Sequence, residues 1–344
     1  MKPPVLKKKK EIKKVHNTKL IDYYSWVHQK NILEVLTNPS LLDAEVKEYL
    51  IKENNYTREV LRNEKNLQKK LFTEIKGRIK LADKSLPFID KAYSYWTKTT
   101  LKGNYSIKLR KSLKTGIVEE IWNGDKENKK YKSAFFGVGD LSVSNNDKLL
   151  AYSLDLKGSE YFDIYIRNIK SNKNLEDCIK DTNGNILFSN DDKFIFYSKL
   201  DKFHRSKSIM LHRIGSNNKE DKLVYHEKIE RFSVSIYLTT DEKFFIISSG
   251  DHSTNKCYFM DANLKSLKPI LFKEYKENIT YSLDSWDGYF YNHTNDKAVD
   301  FKIERYKHNN RKRKEIFIKP KKNTIIGSYL ILKKWFIWSE IKNA

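Results

Sequence analysis

The stretch Asp147-Lys148-Leu149-Leu150-Ala151-Tyr152-Ser153 decides the fold, because it returns along the chain. It recurs as Asp192-Lys193-Phe194-Ile195-Phe196-Tyr197-Ser198 and as Glu242-Lys243-Phe244-Phe245-Ile246-Ile247-Ser248, and it is preceded by Asp90-Lys91-Ala92-Tyr93-Ser94-Tyr95-Trp96. Weaker copies follow at Asp287-Gly288-Tyr289-Phe290-Tyr291 and Lys333-Lys334-Trp335-Phe336-Ile337-Trp338. The second residues fall at 91, 148, 193, 243, 288 and 334, in steps of 57, 45, 50, 45 and 46. Each copy reads as a turn feeding an inner strand of aromatic and β-branched residues. Most are trailed by a second strand in the opposite sense, at residues 161–169, 208–214, 256–260 and 299–306.

A turn, a strand and a returning strand every 45 residues or so is the period of a β-propeller blade. The expectation is therefore a mainly β chain whose residues 83–344 form about five blades and the start of a sixth. Gly-His and Trp-Asp blade signatures are missing apart from Trp286-Asp287. An irregular β-sandwich with similar turns is the competing reading. The sixth copy runs to Ala344 without its second hairpin strand, leaving an expected ring incomplete and its last edge unpaired.

Upstream the pattern changes from alternation to helical spacing. Leu42, Val46 and Leu50 recur about every fourth residue, then Tyr56 and Val60, then Leu67, Leu71, Ile75 and Ile79. Pro39-Ser40 reads as the start of this region, Asn54-Asn55 as a break and Gly77 as the end. Residues 1–82 are thus an extended and helical segment whose apolar stripe needs a covering surface.

The formal net charge of +23 is concentrated at the two ends. Residues 1–14 carry seven Lys and one Glu, and residues 305–344 carry nine Lys, three Arg and two Glu, so the body between is close to ordinary. Of the 67 basic residues only 11 are Arg, the residue that bidentate phosphate and guanine recognition favours, so nucleic acid is not the expected partner. Cys178 and Cys257 are too few for a disulfide framework, and neither an apolar leader nor an uncharged apolar span of membrane length is present. The expectation is a cytoplasmic chain with no membrane partner.

The chemistry of hydrolysis is not legible in the residues. A G-x-S-x-G nucleophile elbow does not occur; Ser159 beside Gly158 and Ser249 beside Gly250 read as hairpin turns. Asp251-His252-Ser253 are neighbours on one loop, which denies them triad geometry. His204 and His212 flank a turn and read as surface residues, and no HExxH or other metal spacing links the histidines. Gly137-Val138-Gly139 lacks the third glycine of a dinucleotide loop, and Asp191-Asp192 sits at a repeat turn. No catalytic, cofactor-binding or metal-binding residue is assigned, and no cofactor is expected.

Asp22-Tyr23-Tyr24-Ser25-Trp26 resembles the D-x-Y-x-W motif near the start of the prolyl oligopeptidase family of serine peptidases, with Pro3-Pro4 before it. Val46, Tyr49-Leu50, Glu53-Asn54, Tyr56, Leu67-Gln68, Leu71, Glu74 and Arg78-Ile79 continue the likeness. Further matching runs begin at Leu141, Asp191, His212 and Ser248, in family order, and within the family they are similar to the oligopeptidase B (protease II) branch. Val27-His28 and the stretch from about Lys319 depart from the pattern.

The resemblance implies a seven-bladed propeller between an N-terminal helical segment and a C-terminal α/β-hydrolase domain. It further implies endopeptidase activity on short peptides after Arg or Lys. The family's catalytic Ser, Asp and His lie in that C-terminal domain, to which no residue here corresponds. The expectation is a truncated peptidase that supplies the substrate-gating propeller and is inactive alone, with short basic peptides as substrate class and a separately encoded hydrolase polypeptide as a possible partner. The alternative is a non-catalytic propeller that binds a peptide or a partner protein.

Overall fold

The computed structural model describes residues 2–343. They form two compact units, the first of Met1–Ser85 with Lys98–Asn104 and the second of Leu86–Thr97 with Tyr105–Ala344.

In the first unit the basic N-terminal segment is not merely extended. Strands β1 (Glu11–Val15) and β2 (Thr18–Asp22) pair antiparallel across His16 and Asn17, which both take positive φ, as a tight two-residue hairpin requires. Asp22 then accepts the backbone N–H groups of Tyr24 at 2.8 Å and Ser25 at 3.0 Å, and Trp26 Nε1 donates to the Lys7 carbonyl at 2.9 Å. A short helix, α1 (Ile32–Thr37), precedes two longer ones, α2 (Ala44–Val60) and α3 (Lys65–Gly77).

The start and the break of the longer helices differ from the sequence reading. Asp43 caps α2 by accepting from Glu45 and Val46, whereas Pro39 and Ser40 open only a single 3₁₀ turn. The chain breaks at the 3₁₀ turn Arg62–Glu64, and Asn54-Asn55 lies inside α2. Both asparagines are exposed, and the Asn55 amide oxygen accepts from Arg58 one turn on, so it does not compete for the helix backbone. Val46 is buried, but Leu50, Leu67, Leu71, Ile75 and Ile79 are exposed.

The second unit consists of successive antiparallel four-stranded blades, two of which run together in one eight-stranded sheet, and a last two-stranded sheet. Blade 1 is β3 (Phe88–Asp90), β4 (Tyr93–Lys98), β5 (Ile107–Ser112) and β6 (Val118–Asn123), followed by helix α4 (Gly124–Tyr131). Blade 2 is β7 (Gly137–Val143), β8 (Leu149–Asp155), β9 (Phe162–Asn168) and β10 (Lys173–Thr182). Blade 3 is β11 (Leu187–Phe188), β12 (Phe194–Leu200), β13 (Ser206–Arg213) and β14 (Lys222–His226), joined to blade 2 through Thr182 opposite Lys199. Blade 4 is β15 (Ser233–Leu238), β16 (Phe244–Gly250), β17 (Asn255–Asp261) and β18 (Ile270–Lys273). Blade 5 is β19 (Tyr281–Trp286), β20 (Tyr289–Thr294), β21 (Lys302–Lys307) and β22 (Asn310–Ile318), and a last two-stranded sheet pairs β23 (Thr324–Leu332) with β24 (Trp335–Lys342). The repeated motif enters the second strand of each blade, so the innermost strand is the one before the turn.

The turn explains why the motif repeats. Ser144, Ser189 and Thr239 accept the N–H five residues on, from Leu149, Phe194 and Phe244, at 2.9, 3.0 and 3.1 Å. Asp147, Asp192 and Glu242 then take left-handed φ of 60°, 57° and 56°. That conformation costs an aspartate less than a branched residue. The turns also chain the blades: Asp192 accepts the N–H of Asn145 at 2.6 Å and of Asn146 at 2.8 Å, and Asn190 donates to the Glu242 carbonyl at 2.8 Å. In blade 5 Asp287-Gly288 makes a two-residue turn in which Gly288 takes φ +82°.

Each apolar cluster lies between consecutive blades. Trp122 meets Leu150 and Tyr152; Ile164 and Ile166 meet Ile186 and Ile195; Phe196 and Ile209 meet Phe245 and Ile247; Ile246 meets Phe290; Tyr291 meets Ile326 and Ile331. The motif strand reads as a continuous apolar run because both of its faces are covered. Phe245 is fully buried with its ring 4.6 Å from that of Phe196. Phe245→Ala is expected to lower the unfolding free energy by about 3–5 kcal/mol, measured by urea denaturation.

Buried carboxylates are paired between or within blades. Glu304 accepts from Lys314 at 2.6 Å and from the Tyr306 hydroxyl at 2.6 Å, with Lys302 at 3.0 Å; Glu227 accepts from Tyr225 at 2.8 Å, with Lys256 at 3.1 Å. Burial alone would raise both carboxyls, but these hydrogen bonds, together with those that the Ser249 hydroxyl and the Ile229 N–H donate to Glu227, outweigh it and hold each at about 2, against an ordinary 4.5. A carboxyl depressed on folding stabilises the folded state fully above its unfolded pKa, and that contribution disappears as pH falls through the folded value. The chain is therefore expected to lose stability from about pH 4.5 down to about pH 2. Thermal melting across that range checks it, and Glu304→Gln should flatten the dependence.

Candidate functional site

The innermost strands of successive blades share one wall. A cavity of about 430 Å³ is lined by Tyr237 on β15, Ser282 and Asp284 on β19, His293 on β20, and Ile326 and Tyr329 on β23. A second, of about 270 Å³, is lined by Asp140 on β7, Ile186 just before β11, Tyr197 on β12 and Tyr237. Tyr237 lines both, so the two adjoin along one groove that follows the first strands of blades 2 to 5 and of the last two-stranded sheet.

The polar groups of this groove are held in place by the strands that carry them. Asp284 accepts the Thr240 N–H at 2.7 Å and its hydroxyl at 2.6 Å, tying blade 5 to blade 4. Asp140 accepts the Ile186 N–H at 3.1 Å, tying blade 2 to blade 3. The Tyr237 hydroxyl donates to the Leu283 carbonyl at 2.8 Å and that of Tyr329 to the Tyr291 carbonyl at 3.2 Å. Burial pushes both phenols above their ordinary value, so each is a neutral hydrogen-bonding group. His293 Nε2 donates to the Ile326 carbonyl at 2.7 Å with its ring stacked 4.7 Å from Phe301. Such a wall offers fixed dipoles and aromatic edges to a bound chain; it offers no activated nucleophile.

The serines and histidines weighed from the sequence are not brought into a triad. Ser249 is not in a turn: it lies within β16, fully buried, and donates to Glu227. Asp251 accepts the N–H groups of Ser253 at 3.0 Å and Thr254 at 2.9 Å, so that loop is a polar turn. His204 contacts the Ser159 carbonyl at 3.0 Å and packs against Tyr161. His212 corrects the surface reading, being fully buried between Asp177 at 2.9 Å and Asp221 at 2.7 Å. Its ring on β13 meets Asp177 of β10 and Asp221 just before β14, so two carboxylates face it.

Two pairs join serine to histidine among the described residues: Ser208 Oγ lies 2.9 Å from His226 Nδ1 at the exposed edge of blade 3, where no carboxylate orients the imidazole, and the second is buried in blade 5. Ser285 Oγ lies 2.9 Å from His308 Nε2 and donates to Asp241 at 2.9 Å. The hydroxyl proton goes to the carboxylate, which leaves the imidazole to donate, the reverse of a general base, and Ser285 is fully buried. Among the described residues no group of His, Cys, Asp and Glu forms a metal site, and no helix is long and apolar enough to cross a membrane. The groove residues escaped the sequence reading; the one signal that could have flagged them is their place a few residues before each repeated turn.

Antiparallel blades sharing an inner wall define a β-propeller. Residues 3–344 match the family model described as the prolyl oligopeptidase N-terminal beta-propeller domain, and the chain belongs to that family. It is 26% identical over 317 residues to dipeptidyl aminopeptidase BI of Pseudoxanthomonas mexicana, covering 88% of this chain and 42% of that protein. It is 23% identical over 313 residues to protease 2 of Moraxella lacunata, covering 89% of this chain and 44% of that protein. The chain thus spans less than half the length of these curated relatives. Oligopeptidase B from Leishmania major has the same fold over 99% of this chain and 50% of that one, with a TM-score of 0.86 and 19% identity. Oligopeptidase B from Trypanosoma brucei gives 0.85 and 20%, again over 99% and 50%.

The Tyr237 hydroxyl bridges two innermost strands. Tyr237→Phe is expected to cost about 1 kcal/mol of unfolding free energy, measured by denaturant unfolding, because a buried carbonyl loses its donor while the ring packing is kept.

Proposed function

We propose that this chain is the substrate-gating propeller of an oligopeptidase B-like serine endopeptidase that cleaves short peptides after Arg or Lys, and that it does not hydrolyse peptides by itself. The observation that carries this reading is the groove: polar and aromatic groups aligned along the innermost strands, with no serine there activated by a histidine. Such a wall admits an extended peptide and leaves the bond intact, so the nucleophile belongs to a hydrolase domain elsewhere in the polypeptide or on a second one. In this reading residues 83–344 are the propeller, and residues 1–82 carry the helices whose exposed Leu67, Leu71, Ile75 and Ile79 pack on that hydrolase domain.

A second reading, a non-catalytic platform for a partner protein, is favoured by β24. Trp335 is 71% exposed and Ile337 49%, and among the described residues β24 is paired on one side only, a template for strand addition. The purified chain incubated with a fluorogenic Arg-Arg peptide is expected to give no hydrolysis above buffer; turnover abolished by a serine-directed inhibitor would sink the gating proposal. Adding the hydrolase domain of an oligopeptidase B is expected to restore cleavage, and a stable complex without cleavage would favour the platform reading.

A further inference from the structure

We propose that the cleft between the outer strands of blades 4 and 5 binds the phosphate group of a small phosphate-bearing ligand. It encloses about 340 Å³ and is lined by Phe272, Lys273, Tyr306, Asn309, Arg311 and Lys312. Lys273 ends β18, while Arg311 and Lys312 follow Asn310 at the start of β22, so the cations arrive from two blades.

Among the described residues none of the three makes an ion pair, and the half-buried Lys273 has no hydrogen-bond acceptor either, which sets it apart from the buried lysines of this unit. Lys302 sits 3.0 Å from Glu304 and Lys256 3.1 Å from Glu227, and Lys207 donates to the carbonyls of Ile229, Glu230 and Phe232 at 2.6, 2.8 and 2.6 Å. Lys273 has no such acceptor. Its ammonium lies 4.8 Å from the Tyr306 ring centroid and 5.8 Å from that of Phe272.

The carboxylates whose fields reach Lys273 are engaged elsewhere, Glu304 by Lys302 and Lys314, and Asp296 by Lys276 at 3.2 Å. Burial pushes the Lys273 ammonium down, with Lys314 and Lys276 adding repulsion against Glu304 and Asp296. An arriving anion would relieve that cost. The guanidinium of Arg311 is held 4.7 Å over the Phe259 ring and donates through Nη1 to the His308 carbonyl at 3.2 Å, which leaves its other N–H groups for a ligand.

A phosphate fits this set better than a lone carboxylate because its charge and several acceptor oxygens can satisfy cations from both strands at once. The small volume selects a compact ligand, and the rings of Phe272 and Tyr306 provide an apolar wall for whatever carries the phosphate. This inference is independent of the groove and of the proposed peptidase role.

Isothermal titration of the full chain with pyrophosphate, and separately with ATP, tests it. Saturable 1:1 binding is expected; equal affinity for the two assigns the site to the phosphate alone, and tighter ATP binding adds the organic moiety. Lys273→Gln and Arg311→Gln should each weaken binding about tenfold with an unchanged melting curve, while Lys273→Arg retains it. A Lys333→Gln, Lys334→Gln double variant should leave binding unaltered. Absence of saturable binding would overturn the proposal, as would equal weakening by that double variant or a preference for oligonucleotides over both small ligands.

Discussion

Side chains at successive positions of one strand enter two different cores, and the second unit depends on that arrangement. Ile195 faces the interface of blades 2 and 3 while Phe196 faces that of blades 3 and 4; Phe245 and Ile247 face back to blade 3 while Ile246 faces forward to blade 5. No blade could bury both faces alone, so each is stable only between neighbours. The repeated turn sets which residue goes to which side, because a slip of one position would exchange the two faces. The left-handed Asp147 and Asp192 thus act on packing far from their own backbone.

Charge follows the same seams. Arg167 on β9 forms a two-pronged pair with Glu127 on α4, both contacts at 2.9 Å, and lies 4.8 Å from the Tyr152 ring centroid. Asn123 caps α4 through the Lys126 N–H, and Gly124 lets it begin there, since a Cβ would come within 2.4 Å of the Tyr105 Cβ. Buried pairs of this kind gain little over apolar packing, but removing one partner strands the other in a medium that solvates it poorly. Lys207 obeys the same rule with backbone carbonyls, pinning the turn that leads into blade 4.

Much of the fold was legible because it is local. Period-2 runs, turn residues and a step near 45 residues are properties of neighbouring positions, and they mark out the blades. Other features were not legible for equally physical reasons. Helix α4 is short and strongly polar, so its pattern carries no apolar stripe, and its place is set by Arg167. The β1–β2 hairpin lies in a lysine run whose charge masks its alternation. Asn54-Asn55 resembled a break, yet exposed asparagines are tolerated in a helix and the chain broke at Arg62–Glu64. His212 looked superficial because its partners Asp177 and Asp221 are separated from it in sequence.

By itself, then, the sequence determined the strand period, the turn chemistry and the absence of a nucleophile elbow, since each depends on residues a few positions apart. Only the tertiary structure decided which groups meet. Tyr237 and Tyr329 share a groove, and Lys273 and Arg311 share a cleft, because the rotation from one blade to the next brings them together. That rotation is set by side chains interlocking across the seams, a long-range property that no local pattern encodes.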